Sequence, residues 1–67
     1  MTQPEVELAW NEGKIGYLNM VKELARANAY NEIDTIDDIE GVLCGVLTPE
    51  AEEATIEMIH KFQEEDN

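Results

Sequence analysis

Cys44 and His60 are the only thiol and the only imidazole in this 67-residue chain, and it has no serine. One nucleophile–base pair is therefore formally available, with His60 drawing the proton from Cys44. Cys44 lies in the most apolar stretch, residues 36–47, and reads as a small buried hydrophobe. A reactive thiolate would need an electropositive, accessible setting. Glu57 and His60 have the Glu-x-x-His spacing used by di-iron helical bundles. On a helix, however, this pair falls on the outer face, roughly opposite Met58 and Phe62, whereas bundle metals are held inward. Asp34, Asp37, Asp38 and Glu40 do not alternate around a central glycine as a Ca²⁺ loop requires. No glycine-rich phosphate loop is present. The expectation is a protein that is not an enzyme and uses no metal and no cofactor.

What remains chemically distinctive is the carboxylates. The chain has 16 acidic and 4 basic residues, a formal charge of −12. Residues 1–31 hold four acids against Lys14, Lys22 and Arg26, net −1; residues 32–67 hold twelve against Lys61 alone, net −11. Such a surface repels nucleic-acid phosphates and anionic lipid, so neither direct nucleic-acid binding nor membrane binding is expected. It attracts basic protein surfaces, with fast, salt-sensitive association. The candidate partner-binding residues are Asp34, Asp37, Asp38, Glu40, Glu50, Glu52, Glu53 and Glu57. Gly41 and Gly45 join them: one turn apart on a helix, they would let another backbone approach closely.

Three threonines stand where helices should start. Thr2-Gln3-Pro4-Glu5 reads as a capping box, and Thr35-Ile36-Asp37-Asp38 as an N-cap followed by first-turn carboxylates. Thr48-Pro49-Glu50 places proline at the first helical position. These signals predict an all-α fold, a compact three-helix domain that could also dimerise, with helices over about 3–29, 36–47 and 49–63 and a frayed acidic tail over 64–67. In the first helix Val6, Trp10, Gly13, Tyr17, Met20, Leu24 and Ala27 share a face, and Leu8 and Ile15 form an opposite apolar line. A break near Asn11-Glu12-Gly13 is one alternative, and a β-hairpin turning there is another. The central helix buries Ile36, Ile39, Leu43, Val46 and Leu47, with Val42 at the border. The third buries Ala51, Ala54, Met58, Ile59 and Phe62.

A chain of this length buries a small core and is marginal alone. Charge of −11 on one half adds self-repulsion, which a marginal domain is not expected to carry without a use. Carboxylates arrayed on two helices can present negative charge at spacings like those of DNA phosphates. The leading expectation is a small acidic inhibitor or decoy, DNA-mimic-like, that occupies a basic, nucleic-acid-binding surface of another protein. Small phage or mobile-element proteins that block nucleases or polymerases are of this general type. The alternative is a structural or adaptor subunit that binds a partner, or a second copy of itself, through apolar helix faces, with the acid serving solubility. The N-terminus lacks a basic region followed by an apolar run, and the lone cysteine fits a reducing compartment, so the expected location is the cytoplasm.

Overall fold

The first helix opens at Thr2 and Pro4, but without the expected capping box: the Thr2 hydroxyl donates to the Glu5 carboxylate at 2.9 Å and caps no backbone N–H. The computed structural model describes residues 2–66 and places α1 over Gln3–Asn11, with Thr2 as N-cap and proline in the first turn. α2 follows over Tyr17–Ala27, α3 over Glu32–Leu43 and α4 over Pro49–Asp66. All four elements are helical, and no strand occurs among the described residues, so the hairpin alternative does not form.

The expected first helix is two helices. Gly13 takes a left-handed conformation, φ 71°, that favours glycine. Its N–H bonds the carbonyl of Trp10 at 3.1 Å, and that of Lys14 bonds the carbonyl of Ala9 at 2.8 Å. This pair of bonds is a Schellman ending, which satisfies carbonyls left open at a helix C-terminus. The break also dissolves the expected Leu8/Ile15 line. Leu8 stays exposed on α1, while Ile15 falls in the connection and packs against the core.

The same ending recurs without glycine. After α2, Tyr30 bonds the carbonyl of Ala25 at 2.7 Å and Ala29 that of Arg26 at 3.2 Å, with φ of 51° at Ala29 and 62° at Tyr30. After α3, Cys44 is left-handed, φ 57°, and Gly45 bonds the carbonyl of Glu40 at 3.2 Å. Cys44 is therefore an exposed helix terminator rather than a buried hydrophobe. Val46, expected inside, lies beyond the helix and is 88% exposed.

α3 begins earlier than Thr35. Asn31 is its N-cap, accepting the N–H of Asp34 at 2.9 Å, and Glu32 and Asp34 occupy the first turn. Thr35 is instead fully buried, and its Oγ1 has no hydrogen-bond partner among the described residues. Thr48 does cap α4, its Oγ1 accepting the N–H of Ala51 at 3.2 Å. α4 runs on through Glu64 and Glu65 to Asp66, where fraying was expected; Asn67 lies outside the described residues.

α2 and α3 form the middle of the bundle, each packing on the other and on both outer helices, while α1 and α4 do not meet. The core is Met20, Val21, Leu24 and Ala25 from α2 against Ile39 and Val42 from α3. Val6 closes it from α1 and Ile59 from α4. On α4 the expected Met58, Ile59 and Phe62 do face the core, but Ala54 is exposed and Thr55 is buried in its place. Thr55 Oγ1 donates to the Ala51 carbonyl at 2.7 Å. Its single proton is then used, so the 2.7 Å contact with Tyr17 has the tyrosine hydroxyl donating. No helix among the described residues is long and apolar enough to cross a membrane.

Candidate functional site: an acidic groove between α3 and α4

α3 and α4 run antiparallel, joined by the short connection that follows Cys44. Near one end Glu32 on α3 meets His60 on α4 through Oε1 and Nε2. Near the other, Glu40 Oε2 accepts the N–H of Leu47 at 2.9 Å, tying the end of α3 to the approach of α4. Between these ties lies an open groove of about 210 Å³ lined by Glu32, Ile33, Ile36, Asp37 and Glu40 from α3 and Glu52 and Ile56 from α4.

Helical spacing explains the lining. Glu32, Ile36 and Glu40 recur every four residues, as do Glu52, Ile56 and His60, so each set follows one line along its helix. The two lines face each other, with isoleucine midway along each and a carboxylate beyond it. Ile33 widens the apolar floor and is 74% exposed; Ile36 is nearly buried beneath it. No lysine or arginine lines the groove. Glu32 and Glu40 are held by His60 and by the Leu47 amide. Asp37 and Glu52 have no intramolecular partner among the described residues.

The structure divides the ten expected contact residues. Asp37, Glu40 and Glu52 line the groove. Glu50, Glu53 and Glu57 form a separate exposed stripe on α4. Asp34 is exposed in the first turn of α3, outside the groove lining. Asp38 turns toward α2, where its Oδ2 accepts the Asn28 side-chain amide at 2.8 Å, a fold-supporting bond. Gly41 and Gly45 are both exposed. A Cβ on Gly41 would sit 3.7 Å from Gln3 Nε2, an ordinary contact within the chain, and one on Gly45 would meet nothing. Within the chain, then, neither glycine is required by a close backbone approach.

Sequence reading missed Glu32, Ile33 and Ile56. A helix start at Thr35, a cap residue by type, leaves Glu32 and Ile33 in a connection. The Glu52–Ile56–His60 line was the available signal, because it places an apolar residue between two polar ones on a single helical line. His60 is exposed and engages Glu32 rather than Glu57, so the Glu-x-x-His spacing is not used as a pair.

Three of the four basic residues are engaged elsewhere, and Lys61 is exposed on α4 with no side-chain partner among the described residues. Lys14 lies 3.3 Å from Glu12. Lys22 sits over the Phe62 ring, 5.7 Å from its centroid. Arg26 is bidentate to Asp66, at 3.1 and 3.2 Å. That pairing lowers the Asp66 pKa from the usual aspartate value and raises that of Arg26, in both chiefly through the hydrogen bond, with desolvation opposing the shift and charge attraction adding to it. Compared with family models, with curated proteins and with solved structures, the chain matches none.

Proposed function

We propose that this protein is an acidic protein-binding module that engages a basic, nucleic-acid-binding surface of another protein and so acts as an inhibitor or decoy. The supporting observation is the α3–α4 groove, where Glu32, Asp37, Glu40 and Glu52 surround isoleucine side chains, no lysine or arginine is among the lining residues, and His60 engages Glu32 alone. Carboxylates alone would supply encounter rate more than affinity, and the exposed Ile33 with the half-buried Ile56 offers the apolar contact that residence on a target requires. The Glu50, Glu53 and Glu57 stripe extends the negative field along the neighbouring side of α4. Binding rather than catalysis, without metal or cofactor, in the cytoplasm, completes the reading.

The experiment is retention of nucleic-acid-binding proteins on the immobilised chain at low salt, with duplex DNA as competitor. Release by DNA, and loss of retention when Glu50, Glu52, Glu53 and Glu57 are all changed to Gln with helicity intact, is the expected result. Retention that ignores DNA and high salt would overturn the decoy reading. A second reading, an adaptor that binds through apolar surface, draws on the exposure of Leu8, Leu18 and Val46. It expects Leu8→Asp to abolish partner binding while the acids hardly matter.

A further inference from the structure

The geometry points to one specific occupant for the groove: a basic amphipathic helix that seats a single aliphatic side chain among Ile33, Ile36 and Ile56, with a lysine or arginine one turn to each side. This inference rests on the proposed binding of basic partners and adds the form of the segment that is bound.

The match is one of spacing. Glu32 and Glu40 lie two turns apart on α3, about 12 Å at 1.5 Å per residue, with Ile36 midway between them. A helix laid along the groove repeats that interval. Its central aliphatic side chain faces the isoleucines when its flanking cations face Glu32 at one end and Glu40 at the other. Glu52 lies on the α4 line one turn before Ile56, so the second wall also carries a carboxylate. Asp37 is exposed and unpartnered among the described residues, and adds charge to the α3 wall. Two antiparallel helices with an open furrow between them are the standard receptor for an amphipathic helix. Here α2 packs on both from the core side, and the groove lining comes from α3 and α4 alone.

Charge complementarity selects this occupant over a second copy of the chain. Each copy carries −12, so two copies repel, and in the acid-free stretch 13–22 the two cations are engaged within the chain, Lys14 with Glu12 and Lys22 over the Phe62 ring. A neutral apolar helix would leave the rim carboxylates facing apolar surface without compensation, which is costly.

The test uses the full chain and an alanine-based helical peptide carrying one leucine with a lysine one turn before and after it. Binding is followed by fluorescence anisotropy and by amide shifts in NMR. Expected are shifts confined to residues 32–40 and 52–60, with affinity falling about tenfold when the peptide leucine becomes alanine. Ile33→Ser, at a residue already exposed, should weaken binding comparably, while Glu50→Gln with Glu53→Gln and Glu57→Gln should change it less than twofold. Circular dichroism checks that each variant keeps its helices. Binding that is indifferent to the leucine and to Ile33→Ser, with shifts on the Glu50–Glu57 stripe, would overturn the groove while leaving the acidic-module reading standing. Absence of binding would also overturn the groove; the DNA-competition experiment then decides the broader reading separately.

Discussion

The guanidinium of Arg26 on α2 clasps the carboxylate of Asp66, forty residues later, through bonds of 3.1 Å from Nε and 3.2 Å from Nη2. Tyr30 adds its hydroxyl to the same carboxylate. Acids at a helix C-terminus are unfavourable against the helix dipole, and three of them end α4. The clasp offsets this and accounts for a last turn that stays helical.

The clasp carries a pH signature. The folded-state pKa of Asp66 is lowered from 3.8, chiefly by its hydrogen bond to Arg26. A depressed carboxylate contributes stability that is present above its unfolded pKa and lost as pH falls through the folded value. The end of α4 should therefore hold at neutral pH and loosen below pH 3.8, the ordinary value, as Asp66 gains its proton. Amide exchange at Gln63–Asp66 should quicken there, and Asp66→Asn should produce the same local loosening at neutral pH. Exchange that is unchanged by either would contradict the assignment.

Helix endings give a second prediction. Ala29 and Cys44 occupy left-handed positions that Gly13 occupies at the end of α1. Such a conformation costs a residue with a Cβ about 1 kcal/mol relative to glycine, partly offset by glycine's extra freedom in the unfolded chain. Ala29→Gly should stabilise the fold by up to about 1 kcal/mol, which for a domain of this size raises Tm by about 4–8 °C. Cys44→Gly should act in the same direction. Thermal melts followed by circular dichroism measure both, and a fall in Tm would contradict the argument.

Thr35 supplies a third. Its hydroxyl is buried without a partner among the described residues, which costs roughly 1–3 kcal/mol of desolvation. Thr35→Val keeps the shape and removes the orphaned group, so it should stabilise by about 1 kcal/mol. Destabilisation by this substitution would mean that the hydroxyl is bonded in solution.

Tyr17 and Thr55 behave oppositely. Their hydroxyls bond at 2.7 Å, and Tyr17 alone can donate. Tyr17→Phe should cost about 1 kcal/mol, and a double-mutant cycle with Thr55→Ala should return a coupling of about 0.5–1.5 kcal/mol. A coupling near zero would remove this bond from the account.

How much of this was legible beforehand follows from particular residues. All-helical character and the starts at Thr2 and Thr48 could be read because cap and proline signals are local. The stop at Gly13 could be read as an alternative, since glycine favours that turn. Ala29 and Cys44 are not marked by type as helix ends; both are exposed, and the bonds of Tyr30 to Ala25 and of Gly45 to Glu40 close the helices around a conformation their side chains disfavour. Asn31 was overlooked beside Thr35, a cap residue by type whose position is core. The acids were visible as a total, but their division into groove, stripe and fold-supporting bonds was not. That division depends on the antiparallel pairing of α3 with α4, which links residues such as Glu32 and His60 across 28 positions.

The most direct test changes the two groove carboxylates that have no other described role. Asp37→Asn with Glu52→Gln leaves the His60 and Leu47 ties intact, so the fold should persist. Affinity for a basic nucleic-acid-binding partner should then fall about tenfold or more, and the dependence of log K on log salt should become shallower. Unchanged affinity and slope in this variant, with binding abolished instead by Leu8→Asp, would contradict the acidic groove as the site.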